Sequence, residues 1–592
     1  MRTSRVRLAS ALALTFAGAS LPALGQDRPE SILPPGFGEP AAPAPRPTSR
    51  PDGAPTSAPT GAPLATVQPL PSPTPSPSPT PSATPTPDAA LLARYEMPPE
   101  ARRSLALVGA VGPRDGGVAP DAFGAADGRY LQDLMRRLDA PLPSRWMSIL
   151  LRRTLAARLT TPRGVHGADF AAERAWLLLR MGEANAARAV VQGVDNANHT
   201  PKLFLVAMNA MLASSDPAGL CPLADRAAAV VPARGWTMAQ AMCAALAGDN
   251  AQANALLRTA RRRGVATGID LLLAQKVIGA ASGGGAVTIE WPGVDQLTVW
   301  RFGLASATGA SIPDELYAGV GRQATYWRAL SPAVPLAERI AAAEAAGGQG
   351  VLSNLALVDL YGAVDAADDA PAAASALAQD LRTAYTAASS NARLAALRQV
   401  WGEATRTDYA RLVLTARAAV RIRPVAANPD ETRIVASLLS AGLDRTAARW
   451  RGAVEEGGDA WAMLVLTDPD LPQRLTYGEL AGYAGAGDAA LKQRMLFAGL
   501  AGLGRLAPDD IERAAQALDV RIGAENAWTR ALDRAARDNQ PGTVALLAAV
   551  GMQTFAWRGV PPEMLYRIVG ALRAVGLGGE ARMIAAEAIA RS

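Results

Sequence analysis

Apolar residues recur at helical spacing along most of the chain. Leu131, Leu134, Met135 and Leu138 follow one another at i, i+3, i+4 and i+7, which places them on one face of a helix. From Tyr130 onward this periodicity continues, with interruptions, almost to the last residue. The pattern predicts an all-α protein in which most helices bury one apolar stripe.

The stretch 221–264 indicates how these helices are joined. Gly favours the left-handed conformation just after a helix, and Asp or Asn side chains accept the free N–H groups of a first helical turn. By these signals the stretch holds three helices in a row. We expect the first to end near Val231, the second to run from about Trp236 to Ala247 and stop at Gly248, and the third to begin at Asp249 or Asn250 and close on Arg261, Arg262, Arg263 and Gly264.

The same plan, a helix, a glycine and an alanine-rich helix, recurs at uneven spacing. Its copies lie in the windows 176–191, 243–257, 436–450 and 570–588. Divergent copies of one helix pair indicate an array whose members stack on their neighbours. We therefore expect a right-handed α-solenoid of stacked antiparallel helix pairs.

A run of three glycines at 283–285 interrupts this pattern. Val287, Ile289 and Trp291 then alternate as in a short strand, until Pro292 ends the alternation. We expect a loop or break near 281–296, between two halves of the solenoid.

Two further segments precede the helical region. Residues 1–25 combine a basic start, an apolar run too short to span a bilayer and small residues before Gln26, which is the pattern of a secretory signal peptide without a lipid anchor. Residues 26–88 are rich in Pro, Ala, Ser and Thr and have few large apolar groups to bury, so we expect a disordered tether. The solenoid would then occupy 89–592. The protein is expected to be periplasmic or secreted, with no transmembrane segment.

Composition agrees with an all-α fold and limits the choice of partners. Hydrophobic residues make up 49% of the chain but aromatic residues only 5%, so the apolar content is largely Ala, Leu and Val. Ala has the highest helix propensity. The formal net charge is +6, and three of the basic residues lie in 1–25. Because the remaining excess is small and scattered, we expect no nucleic-acid partner.

The two cysteines are the most specific chemical signal. Cys221 and Cys243 lie equally far from Pro232, the expected turn, so an antiparallel hairpin would bring them to the same height. An oxidising compartment favours a disulfide between them. Two buried free thiols are the alternative reading, and a metal site is not expected because no histidine is near.

Residue types that carry catalysis form no convincing pattern. His166 and His199 lack metal-ligand spacing, and we interpret both as surface histidines. Adjacent carboxylates could hydrolyse a glycosidic bond at the right separation, but neighbours on a helix point in different directions. We interpret them as solvated or capping residues. The pairs are Asp368 and Asp369, Glu455 and Glu456, and Asp509 and Asp510.

Two weaker signals concern anions. Arg261, Arg262 and Arg263 are expected to neutralise the carbonyls at a helix end, and an anion-binding patch is the alternative. The glycine run lacks the Gly-Lys-Ser/Thr that completes a phosphate-binding loop. We predict no catalytic residue, no cofactor and no metal.

The repeated helix pairs resemble tetratricopeptide-like or Sel1-like repeats, and the exported helical array also resembles the non-catalytic superhelix of soluble lytic transglycosylases. The Glu-Ser motif of the catalytic part of that enzyme family is not visible in this chain. These resemblances imply a non-enzymatic periplasmic scaffold or binding protein of the bacterial cell envelope, with an envelope protein or a peptidoglycan-associated partner. The alternative is an envelope-polymer hydrolase, acting on peptidoglycan or polysaccharide, with an unrecognised acidic site.

Overall fold

The computed structural model describes residues 98, 101–284, 286–403 and 408–592. The predicted signal peptide and tether lie outside these residues. Within them the chain forms 27 α-helices and one two-stranded sheet. The all-α prediction is confirmed.

The helices of the first half, to residue 349, are α1 to α13. They are α1 Gly128–Arg137, α2 Arg145–Ala156, α3 Gly167–Arg180, α4 Ala184–Gln192, α5 Pro201–Ala213, α6 Ala224–Val230, α7 Arg234–Leu246, α8 Asn250–Arg262, α9 Gly268–Ser282, α10 Val299–Ala307, α11 Asp314–Ala318, α12 Gln323–Leu330 and α13 Leu336–Gln349.

The second half contains α14 to α27. They are α14 Asn354–Ala366, α15 Ala372–Thr386, α16 Ser390–Trp401, α17 Tyr409–Ala419, α18 Glu431–Ser440, α19 Asp444–Ala447, α20 Asp459–Thr467, α21 Tyr477–Ala481, α22 Ala489–Leu503, α23 Pro508–Ala517, α24 Ala527–Arg537, α25 Pro541–Gly551, α26 Pro562–Ala574 and α27 Gly578–Arg591. The sheet pairs β1 Leu107–Val108 with β2 Leu159–Thr160 in antiparallel register.

Helix ends in the stretch 221–264 lie where the local signals predict them. α6 ends at Val230, α7 at Leu246 and α8 at Arg262. Gly248 adopts the left-handed conformation with φ 85°, and the Asp249 side chain accepts a hydrogen bond from the backbone N–H of the third helical residue. The prediction of three successive helices is therefore confirmed.

Glycine occupies the left-handed turn in all four predicted copies of the helix pair. Its φ is 86° at Gly182, 85° at Gly248, 73° at Gly442 and 81° at Gly576. The surroundings differ, because a Cβ at Gly182 would lie 2.5 Å from the ring of Tyr326, whereas a Cβ at Gly576 would meet open space. At Gly182 the missing side chain therefore serves packing as well as backbone conformation.

The two ends of the helical region pack against each other. Helices that follow one another in sequence form many contacts, as in stacked pairs, but α27 also packs on α2, α18, α20 and α22. In a solenoid each repeat contacts only its neighbours, so the contact between α2 and α27 is additional to that scheme. The right-handed solenoid stays a prediction.

The predicted break near 281–296 is a non-helical connection. Between α9 and α10 the described residues form neither helix nor strand, so the strand-like alternation of Val287, Ile289 and Trp291 does not produce a strand. The indole N–H of Trp291 donates to the Ser311 carbonyl at 2.8 Å and holds the connection against the helices. Buried residues on both sides, among them Ile278, belong to one hydrophobic core. A division into two halves stays a prediction.

Glu587 of α27 caps the N-terminus of α2. Its carboxylate accepts hydrogen bonds from the backbone N–H groups of Arg145 and Trp146 at 2.8 and 3.1 Å, and from the Ser144 hydroxyl and the Arg591 guanidinium, each at 2.6 Å. The Glu587 side chain is fully buried. A negative charge at this position offsets the helix dipole and satisfies first-turn N–H groups that α2 itself leaves free.

Arg145 continues this buried polar cluster toward the middle of the chain. Its guanidinium donates to the carbonyl oxygens of Gly347, Leu352 and Ser440. Gly347 and Ser440 lie in the last turns of α13 and α18, and Leu352 lies in the loop after α13. Burial lowers the pKa of Arg145 to about 10. One side chain thus connects the start of α2 to the carboxyl ends of two distant helices, where a cation is favourable.

Candidate functional site

The structure joins Cys221 and Cys243 in a disulfide, with their Cα atoms 5.3 Å apart. Cys221 directly follows the short 3₁₀ helix Pro217–Leu220, and Cys243 lies in α7. The chain has no other cysteine. The bridge holds α7 against the chain that enters α6, and its formation in the exported protein stays a prediction for thiol measurement.

The two histidines lie apart in different settings. His166 is exposed at the start of α3, and its side chain makes no capping hydrogen bond. His199 is half-buried, contacts the Phe204 ring and places its Nδ1 3.1 Å from the Asp195 carbonyl. Burial is the main reason that the pKa of His199 is lowered. His166 is therefore a surface residue as predicted, while His199 packs partly into the fold.

The adjacent carboxylates lie in loops or in a first helical turn. Asp368, Asp369, Glu455 and Glu456 are exposed outside the helices. Asp509 and Asp510 occupy the first turn of α23, and Asp510 also accepts a hydrogen bond from the first backbone N–H of α21 at 2.8 Å. The interpretation of these acids as solvated or capping residues agrees with their positions.

A cavity of about 410 Å³ lies between α5, α7, α9 and α10, and we call it the methionine cavity. Three large apolar side chains line it: Met208 from α5, Met238 from α7 and Trp300 from α10. The indole N–H of Trp300 donates to the Asp270 carbonyl at 3.1 Å, which fixes the orientation of the ring. The remaining lining residues are Arg234, Gly235, Gly264, Val265, Ala266, Thr267, Asp270 and Thr298.

Three helix N-termini open onto the methionine cavity. α7 begins with Arg234, α9 follows Thr267 and α10 follows Thr298. Of the three, only α10 has a side-chain cap: the Thr298 hydroxyl accepts a hydrogen bond from the backbone N–H of Arg301 at 3.2 Å. Because the free N–H groups of a helix start carry partial positive charge, the cavity favours negatively charged groups. The one carboxylate in its wall, Asp270, is held in an ion pair by Arg301 at 2.8 Å.

One exposed arginine lines the methionine cavity, and three more immediately precede a residue of its wall. Arg234 stands at the start of α7, and Arg261, Arg262 and Arg263 immediately precede Gly264 in the cavity wall. We call these four residues the arginine rim. No rim residue forms an ion pair within the described ranges. The Arg262 guanidinium donates a hydrogen bond to the Thr259 hydroxyl. The arginine run ends α8, is exposed to solvent and is followed directly by a residue of the cavity wall.

A second, smaller cleft brings two carboxylates together. It has a volume of about 160 Å³ and is lined by Asp468, Glu479 and Trp461, among others. Asp468 is buried, pairs with Arg451 and accepts the backbone N–H of Asp470 at 2.9 Å. Glu479 accepts both the backbone N–H and the hydroxyl of the residue that caps α21, each at 2.7 Å. Both acids already serve as partners within the fold.

Sequence reasoning singled out the arginine run but neither cleft. Met208, Trp300 and Asp468 carry no local motif, because each lies in an ordinary helix or helix end. Glu479 belongs to a capping box, which marks a helix start and not a binding site. For the methionine cavity the available signal was indirect, namely three helix starts, two of which have no side-chain cap. The sequence alone does not tell that they meet.

The described part of the chain has neither a metal-binding cluster nor a membrane-spanning helix. No group of three or more His, Cys, Asp or Glu side chains there has the arrangement of a metal site. None of its helices combines the length and the apolar character required to cross a membrane.

Comparison with known proteins adds no relative. The chain matches no protein family, no characterised protein and no solved structure.

Proposed function

We propose that this protein is a non-enzymatic binding or scaffold protein of the bacterial cell envelope, exported to the periplasm. The observation that carries the proposal is the methionine cavity with its arginine rim, an open site whose chemistry suits recognition. Methionine side chains adapt to partners of different shape, and aromatic and arginine residues are enriched where binding energy concentrates.

The sequence supports the location. A basic start followed by a short apolar run and small residues is typical of an export signal. The proline-rich segment that follows suits a tether, because such segments extend and hold a folded domain away from its attachment point.

Site-specific photocrosslinking in living cells tests the proposal. A photoreactive amino acid at Thr267, which is exposed in the cavity wall, should form an adduct with an envelope component. The matched control carries the same group at Arg530, an exposed residue of α24. Adducts of equal yield at both positions, or adducts at neither, would contradict the proposed binding role of the cavity.

The cleft of Asp468 and Glu479 favours a second candidate function, a hydrolase of an envelope polymer. Two carboxylates beside Trp461 provide the residue types of a glycosidase, since aromatic rings pack well against sugars. Against this reading, one acid is neutralised by Arg451 and the other caps a helix.

Release of reducing sugars from purified peptidoglycan distinguishes the two functions. A scaffold protein should give no more release than a Glu479→Gln variant of the same preparation. Release that depends on Glu479, with the variant still helical by circular dichroism, would favour the hydrolase.

A further inference from the structure

We infer that the methionine cavity and its arginine rim dock an acidic peptide segment of a protein partner, one that inserts a large apolar side chain between Met208, Met238 and Trp300. The inference rests on the proposed binding function and names the chemical class of the partner.

Charge gives the first argument. The segment 224–282, which contains α6 to α9, holds seven basic and three acidic residues. All three acids have partners within the fold: Asp270 pairs with Arg301, Asp249 caps α8 and Asp225 accepts from Gln240 at 2.9 Å. The arginine rim forms no ion pair among the described residues. The segment therefore carries a net positive charge, and the complement of its exposed arginines is a partner with several carboxylates.

Shape and apolarity give the second argument. A cavity of about 410 Å³ lies in the size range of ligand pockets, and its apolar walls reward a side chain that leaves water. Apolar anchors surrounded by charged rims are the usual anatomy of a peptide-binding site.

The layout of the rim favours a peptide over a lipid. Arg234 starts α7, whereas Arg261 to Arg263 end α8, and packed helices lie about 8–10 Å apart. A linear peptide presents several carboxylates and can reach both helix ends at once. A single lipid headgroup presents one phosphate.

The disulfide contributes preorganisation. Cys243 lies in α7 downstream of Met238, so the bridge to Cys221 holds the helix that forms one cavity wall. A wall already fixed before binding loses less freedom on association. Reduction is therefore expected to weaken peptide binding without changing its charge dependence.

Fluorescence anisotropy with the mature protein and a labelled synthetic peptide tests the inference. The probe has a central Leu-Phe pair flanked by glutamates, and a polyglutamate peptide of the same length serves as the apolar control. The rim variant combines Arg261→Glu, Arg262→Glu and Arg263→Glu. A second variant, Ala266→Trp, fills the cavity and keeps the charge.

The rim variant should weaken binding of the Leu-Phe probe by about tenfold or more and flatten its dependence on salt, because charges on a rim govern steering and screening. Ala266→Trp should weaken the Leu-Phe probe and leave the weak binding of polyglutamate unchanged. The matched control reverses three arginines of α24, Arg530, Arg534 and Arg537, and should keep the affinity within about twofold.

Several outcomes would overturn the inference. They are no binding of the probe, equal binding of polyglutamate, equal loss in the rim and control variants, or tighter rim-dependent binding of phosphatidylglycerol vesicles than of the probe. If Thr267 crosslinks a component that the probe does not displace, the inference fails while the binding function stands. If Thr267 yields no adduct and the probe does not bind, both fail.

Discussion

Replacing Glu587 by alanine removes a buried carboxylate that joins the last helix to the second. The carboxylate accepts two first-turn N–H groups of α2, at Arg145 and Trp146, together with the Ser144 hydroxyl and the Arg591 guanidinium. No water replaces these contacts easily, because the Glu587 side chain is fully buried. The substitution leaves buried donors without acceptors and opens a small void.

The expected loss of unfolding free energy is about 4 kcal/mol. A hydrogen bond to a charged acceptor contributes roughly 1.5–3 kcal/mol, but the cost of burying the carboxylate disappears with it, so the four contacts do not add. Removing one partner of a buried ion pair usually costs about 3–5 kcal/mol, and the expected loss lies in this range. Glu587→Gln should lower the unfolding free energy by about half as much. Its amide oxygen still accepts hydrogen bonds, whereas its amide nitrogen would face N–H donors.

Urea unfolding of the mature protein measures the loss of unfolding free energy as a shift of the urea midpoint at an unchanged m-value. Hydrogen exchange at the backbone N–H groups of Arg145 and Trp146 localises it to the start of α2. The control is Glu580→Gln in the same helix, whose carboxylate pairs with Arg153 at 2.9 Å in a partly exposed setting. That pair should contribute about 1 kcal/mol or less.

Two results would refute the reasoning. One is a loss for Glu587→Ala no larger than that for Glu580→Gln. The other is a large loss with unchanged exchange at Arg145 and Trp146, which would mean that the void, and not the missing cap, causes the effect.

Further predictions concern a pH-sensitive acid, the disulfide and two glycines. Burial raises the pKa of Glu183 from 4.5 to about 7, so the unfolding free energy is highest below pH 4.5 and falls as the pH rises toward 7. Urea unfolding across this range should show a fall of roughly 3 kcal/mol, and Glu183→Gln should abolish it. Thiol titration of the unfolded, unreduced protein should find no free thiol at Cys221 or Cys243, and reduction should lower the unfolding free energy by about 3 kcal/mol; two free thiols per chain would reject the bridge. Gly182→Ala should lower the unfolding free energy more than Gly576→Ala, because only the first variant also collides with Tyr326. Gly576→Ala should lose about 1 kcal/mol from backbone strain alone, and equal thermal unfolding temperatures of the two variants would contradict the packing difference.

Much of the fold could be predicted because helix ends are local. The signal at Gly248 and Asp249 predicts where α7 stops and how α8 starts, and the structure has both features there. A capping side chain reaches only the next few backbone N–H groups, so a short window of sequence contains the whole interaction. The same locality explains why spacing about Pro232 pointed to Cys221 and Cys243, which are 22 residues apart.

The candidate site could be predicted only in part. The arginine run at Arg261 to Arg263 was visible as a helix end with an anion-binding alternative. The cavity residues Met208 and Trp300 were not, because each occupies an ordinary helix and the cavity arises only where four helices meet. Asp468 and Glu479 were missed for the same reason, since they are separated along the chain and share a cleft through packing.

The sequence by itself determined the all-α class, the ends of the helices in 221–264 and the recurring glycine turn, because these depend on backbone conformation and on contacts within a few residues. Only the tertiary structure decided that Glu587 caps a helix that begins 442 residues earlier and that Arg145 connects the ends of α13 and α18. Contacts at such separation depend on which faces of the helices meet. Many alternative arrangements bury similar alanine-rich stripes equally well, so the local pattern does not choose among them. The buried charge and its partners distinguish this arrangement, since a misplaced Glu587 would leave a carboxylate unpaired in the core.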